Sequence, residues 1–69
     1  MILQELLDKM EKVNSDKIII KFYDENMNME REIDPNSFDK FIASNSNVEI
    51  RTIIPIDYRI IVKISNPNI

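Results

Sequence analysis

Glycine, cysteine, histidine and tryptophan are all absent from the 69 residues of this chain. Without cysteine there is no disulfide, and without cysteine and histidine there is no Cys/His zinc site. Histidine is the commonest general base at neutral pH, and neither a Ser-His nor a Cys-His nucleophile system can be assembled without it. A Walker A loop and a Rossmann fingerprint both need glycine where backbone approaches phosphate, so neither is present. Long apolar runs are missing too. Ile18-Ile19-Ile20 and Ile60-Ile61-Val62 fall far short of the ~20 residues of a membrane span. Met1-Ile2-Leu3 passes straight into Gln4 and Glu5, with no basic and apolar leader, so a soluble protein acting in the cytoplasm is expected.

What the chain does have is isoleucine, 14 of its residues, within a hydrophobic fraction of 43%. Its length allows one domain, expected over residues 1–64 with a frayed tail at 65–69. A domain this small buries only about 60% of its unfolded surface, so it depends on dense packing or self-association. Isoleucine, asparagine and lysine, all with AT-rich codons, make up 28 residues, which fits a low-GC bacterium or its phage.

Residues 2–13 have the spacing of an amphipathic helix, with Leu3, Leu6, Leu7, Met10 and Val13 on one stripe. Residues 17–24 and 28–33 read as a hairpin. A Glu25-Asn26 turn would set Phe22 opposite Met29, Lys21 opposite Glu30 and Ile18 opposite Ile33, with Asn26 left-handed. Arg31 then falls on the core side of an edge strand, where an inward charge discourages further pairing. Asp34 and Pro35 suit the start of a short helix over 35–43 that carries Phe38, Phe41 and Ile42. Residues 48–54 and 58–64 read as a second hairpin around Pro55-Ile56-Asp57, pairing Val48 with Ile64, Ile50 with Val62 and Glu49 with Lys63.

The expected fold is therefore α+β with the order αββαββ, a four-stranded antiparallel sheet carrying both helices on one face. Its core face would hold Ile18, Ile20, Phe22, Met29, Ile33, Val48, Ile50, Ile60, Val62 and Ile64. Its outer face would hold Lys21, Glu30, Glu32, Glu49, Arg51, Arg59 and Lys63 together with Ile19, Tyr23, Ile53 and Ile61. Those four apolar residues are a candidate partner or dimer surface.

Charge offers a second candidate. Asp24, Glu25, Glu30, Glu32, Asp34 and Asp39 stand against Arg31 alone in residues 24–39, whereas residues 40–69 are net basic. An acidic edge of this kind would dock on a basic protein surface, including one that otherwise holds nucleic-acid phosphates. Direct nucleic-acid binding needs a basic patch, and Glu30, Glu32 and Glu49 share the sheet face with its lysines and arginines. No EF-hand spacing occurs, so neither a metal nor a cofactor is expected.

In element order residues 17–54 resemble the phage-encoded uracil-DNA glycosylase inhibitors, small acidic proteins with a hairpin, a short helix opened by a Ser/Asp-Phe turn and a following strand. The matching turn here is Asp34-Pro35-Asn36-Ser37-Phe38. The resemblance implies inhibition of a host enzyme. The expected function is that of a small acidic, non-catalytic binding protein of a phage or mobile element. It would inhibit a nucleic-acid-processing or defence enzyme, as an anti-CRISPR or a nuclease inhibitor does. The alternative is a module whose activity is self-association as a homodimer.

Overall fold

Two of the most aliphatic segments of the chain sit side by side at the centre of a four-stranded sheet. The computed structural model describes residues 1–10 and 17–68. Its elements are α1 (Leu3–Asp8), β1 (Ile18–Asp24), β2 (Met29–Glu32), α2 (Phe38–Asn45), β3 (Ile50–Ile56) and β4 (Arg59–Ile64), with a 3-10 turn at Pro35–Ser37 leading into α2. The strand order is β2-β1-β4-β3.

The sheet is mixed, not wholly antiparallel as expected. β1 pairs antiparallel with β2, β3 pairs antiparallel with β4, but β1 and β4 are parallel neighbours. The cause is α2. After β2 the helix carries the chain back along the sheet, so β3 starts at the end where β2 started. The second hairpin then runs β4 in the direction of β1. Ile18, Ile20, Phe22, Val62 and Ile64 from the two central strands join Leu3 and Leu7 of α1 and Phe38 and Phe41 of α2 in one buried cluster. Both helices therefore share one face. Leu6, Met10, Ile33, Ile42, Val48, Ile50 and Ile60 pack around it, half-buried. Met29, expected in the core, is 48% exposed because it pairs with Asp24 at the turn end of the sheet.

Both hairpins depart from the expected register. In the first, the Asp24 carboxylate accepts from the N–H groups of Asn26 (2.9 Å) and Met27 (3.3 Å), which builds a four-residue turn, Glu25–Asn28. Asn28, not Asn26, is the left-handed residue, at φ 51°. The ladder moves by two positions, so Phe22 faces Arg31 and Lys21 faces Glu32. An even shift keeps every side chain on its expected face, and Arg31 does lie on the core side of an edge strand.

The second hairpin moves by an odd number. Its turn is Asp57-Tyr58, with Asp57 at φ 43°, and Ile56 pairs with Arg59. Pro55 therefore lies inside β3, opposite Ile60. It is tolerated because the pair next to a two-residue turn bonds across the ladder, so the following pair points its backbone outward, where a missing N–H costs nothing. A bulge between Ile50 and Thr52 absorbs the odd residue. Ile50 keeps its core face but lies opposite Ile64 instead of Val62, while beyond the bulge Ile53 faces Val62 and Ile54 faces Ile61. The faces of residues 52–54 are the reverse of those expected, and Glu49 does not face Lys63.

α1 ends at Asp8, with Lys9 as its C-cap, earlier than the expected helix over 2–13; positions 11–13 lie outside the described residues. The Glu5 carboxylate accepts from the Ile2 N–H at its start (3.0 Å). α2 opens as expected on Asp34, which accepts from the Asn36 N–H (2.9 Å), with Pro35 next. It then runs two residues past the expected end, to Asn45. The expected frayed tail meets the domain there. The buried Asn45 amide donates to the Phe41 carbonyl (3.1 Å) and the Asn68 carbonyl (3.0 Å), and its oxygen accepts from the Asn68 N–H (2.6 Å).

Candidate functional site: the outer sheet face

The face opposite the helices is ordered by the ladder. Ile19 of β1 is the register partner of Ile61 on β4, and Ile61 in turn faces Ile54 on β3. Three isoleucines thus form a row across three adjacent strands, about 4.8 Å apart. All three are half-buried. Ile56, 41% exposed, continues the patch toward the β3–β4 turn, where Tyr58 is 91% exposed at the apex. Tyr23 stands at the other end of the face, 51% exposed, its hydroxyl donating to Asn28 Oδ1. Of the four apolar residues expected here, Ile19, Tyr23 and Ile61 share the face. Ile53 projects to the other side, and Ile54 takes its place through the bulge.

Sequence reasoning missed Ile54 because a period-two pattern followed through an uninterrupted strand assigns the residues after a bulge to the wrong face, and missed Ile56 and Tyr58 because the turn was expected at Pro55-Ile56-Asp57 and lies at Asp57-Tyr58. The signal available was Pro55. Its fixed φ and missing donor mark a strand edge as readily as a turn.

Charges border the row. Lys21 and Lys63, in register on the central strands, both reach Glu30 of β2, at 3.9 and 3.1 Å. Arg51 at the bulge and Arg59 at the turn end have no carboxylate within ion-pair distance among the described residues. The outer face therefore has an acidic flank on β2 (Glu30, Glu32) and a basic flank on β3 and β4 (Arg51, Arg59).

The six acidic candidates do not gather into one pole. Asp24 is turned to the core side, 8% exposed, and bound to Arg31 at 3.0 Å, with the Arg31 guanidinium 5.8 Å above the Phe22 ring. The hydrogen bond from Arg31 holds the Asp24 carboxyl below the usual aspartate range. Burial opposes this, while the Met27 and Asn26 N–H groups and the Arg31 charge support it. Glu30 is held between two lysines and Asp34 caps the 3-10 turn. Glu25, Glu32 and Asp39 are exposed and have no ion-pair partner among the described residues, but Glu25 and Asp39 lie beyond opposite ends of β2. Among the described residues no group of three acidic side chains converges to hold a metal ion. No described helix is long and apolar enough to cross a membrane.

Both sheet edges are blunted. β2 has only four residues, and its charged Arg31 points inward. The start of β3 is covered by the N-terminal segment, through Ile50 N–H to the Met1 carbonyl and Leu3 N–H to the Val48 carbonyl (both 2.8 Å), and its far half carries Pro55. Strand addition by a partner is disfavoured on either side, which leaves the face itself. Comparison with family models, curated proteins and solved structures finds no match to this chain.

Proposed function

We propose that this chain is a non-catalytic protein-binding module that acts inside the cell and docks through the outer face of its sheet. The observation that carries this reading is the Ile19–Ile61–Ile54 row, a contiguous aliphatic strip on a face that neither described helix covers. Scattered exposed aliphatics are ordinary, but a strip across three strands of so small a sheet marks an interaction surface. The blunted edges support docking on the face over strand addition.

A second reading keeps the acidic edge as the active surface, with the chain a phage or mobile-element inhibitor of a nucleic-acid-processing or defence enzyme. Exposed Glu25 in the turn and Glu32 on β2, neither in an ion pair among the described residues, favour it, because such carboxylates would meet a basic substrate channel.

One experiment separates the two. Wild type, an Ile54→Lys/Ile61→Lys variant and a Glu25→Lys/Glu32→Lys variant, each shown to be folded by circular dichroism, are immobilised and offered the same purified nucleic-acid-processing enzymes. Loss of retention only with the isoleucine variant supports the face, and loss only with the charge variant supports the acidic edge. Equal retention by all three would overturn both readings.

A further inference from the structure

Glu25 and Arg51 carry opposite charges and line one cavity, yet neither has an ion-pair partner among the described residues. The cavity, about 370 Å³, lies where the parallel strands β1 and β4 end. Tyr23, Ile64, Ser65 and Asn66 complete its wall. Glu25 enters from the β1–β2 turn and Arg51 from the β3 bulge. β1 and β3 stand two strand spacings apart, about 10 Å, with β4 between them. The sheet thus holds the two charges apart across the cavity. Neighbouring charges do not interfere. Asp24 is bound to Arg31 and Lys63 to Glu30, and Glu49 lies outside the wall without pairing to Arg51.

Tyr23 stands between the two charges. An adjoining hollow of about 280 Å³ has Tyr23 and Arg51 in its wall but not Glu25. Another, of about 230 Å³, has Tyr23 and Glu25 but not Arg51. The ring is 51% exposed, and its hydroxyl is tied to Asn28 Oδ1.

We propose that this cavity binds a lysine at the C-terminus of a peptide, with its carboxylate on Arg51, its alkyl chain on the Tyr23 ring and its ammonium on Glu25. A guanidinium fork matches a carboxylate. An aromatic face suits both the apolar stem and the cation at its tip. In an extended lysine ~7 Å separates the carboxylate carbon from the ammonium, which fits between side chains that reach in from opposite sides. The direction of the peptide follows. Carboxylate and preceding amide share one Cα, so the rest of the chain leaves at the Arg51 end, where the larger adjoining hollow lies. A free lysine would instead bring its α-ammonium against Arg51. The site is separate from the isoleucine row and does not depend on it.

NMR titration of the whole chain with Nα-acetyl-lysine tests this. The backbone amides of Tyr23, Glu25, Arg51, Ser65 and Asn66 should shift, with a dissociation constant of about a millimolar, as expected of a ligand of ~13 heavy atoms. Nα-acetyl-lysine amide lacks the carboxylate and Nα-acetyl-norleucine lacks the ammonium. Each should bind about three- to fivefold more weakly, as for other exposed ion pairs. Arg51→Gln should erase the preference for the acid over the amide and keep the preference for the ammonium; Glu25→Gln should do the reverse. Both variants change exposed side chains, and unshifted resonances elsewhere show that they fold. Ile54→Lys/Ile61→Lys should alter none of these affinities, so failure here and failure of the isoleucine row are told apart. No localised shift at tens of millimolar ligand, or a variant that keeps the preference it should lose, overturns the proposal. Free lysine should bind more weakly than Nα-acetyl-lysine, and equal or tighter binding overturns the peptide chain end as the ligand.

Discussion

At the scale of single residues, Asp24 organises the turn end of the sheet. Its carboxylate sets the Glu25–Asn28 turn, accepts from Arg31 and draws that guanidinium over Phe22. Because folding lowers its pKa, the stability it contributes is present above the unfolded aspartate value, about 3.9. That contribution is lost as pH falls through the lower folded value. Urea denaturation should therefore show a stability plateau near neutrality and a decline below about pH 4. Asp24→Asn should lower the plateau and flatten the decline. An unchanged acid slope in that variant would show that the Arg31 contact does not form. Asn45 works in the same way for the chain terminus. Asn45→Ala removes its bonds to Phe41 and Asn68 and should cost roughly 1–3 kcal/mol, as for other buried polar groups left unpaired. It should also speed carboxypeptidase trimming of the tail.

At the scale of elements, the β3 bulge decides which residues the outer face displays. Deleting Arg51 removes the extra residue and leaves Ile50 opposite Ile64, Thr52 opposite Lys63 and Ile53 opposite Val62 in one continuous ladder, with every face unchanged. The expected result is a fold within about 1 kcal/mol of wild type, with amide exchange of residues 52–56 unchanged; a larger loss would show that the bulge itself is required. Much of the element inventory was legible from the chain. The isoleucine alternation in 18–24 and 58–64 gave the central strands, and Asp34-Pro35 gave the start of the second helical segment. Arg31 on β2 gave an edge. Turn lengths were not legible, because they are set by local bonds that no periodicity reports: the Asx-type grip of Asp24 and the positive φ of Asp57. The first error left the faces intact and the second reversed one, which is why three of the four residues expected on the outer face lie there and Ile53 does not.

At the scale of the whole molecule, the two sides of the sheet should respond oppositely to the same substitution. Val62 is fully buried between the helices and the sheet, and its neighbour Ile61 lies on the outer row. Val62→Lys places an unpaired ammonium in the core and should leave no cooperative thermal transition. Ile61→Lys should keep the fold within about 1–2 kcal/mol of wild type, a cost set by the partial burial of that side chain. If both variants unfold at low concentration, the outer face is covered within a single chain. The parallel pairing was not legible because hydrophobic pattern places strands without ordering them, and the direction of β4 depends on how far α2 carries the chain.

That parallel ladder also governs when the protein can fold. Ile18 pairs with Ile60 and Phe22 with Ile64, so each rung of the central ladder joins residues 42 positions apart. The closing strand is made after the other described elements and occupies an interior place in the sheet. A nascent chain still lacking β4 has neither Val62 nor Ile64 to fill the core, and β1 is left with one open edge. Folding must therefore wait until β4 has been made, and the long-range ladder makes it slow for a domain of this size. Refolding monitored by stopped-flow should be slower than for helical proteins of equal size. A chain ending at Tyr58 should show no cooperative unfolding, although it keeps both helices and the first hairpin in its sequence.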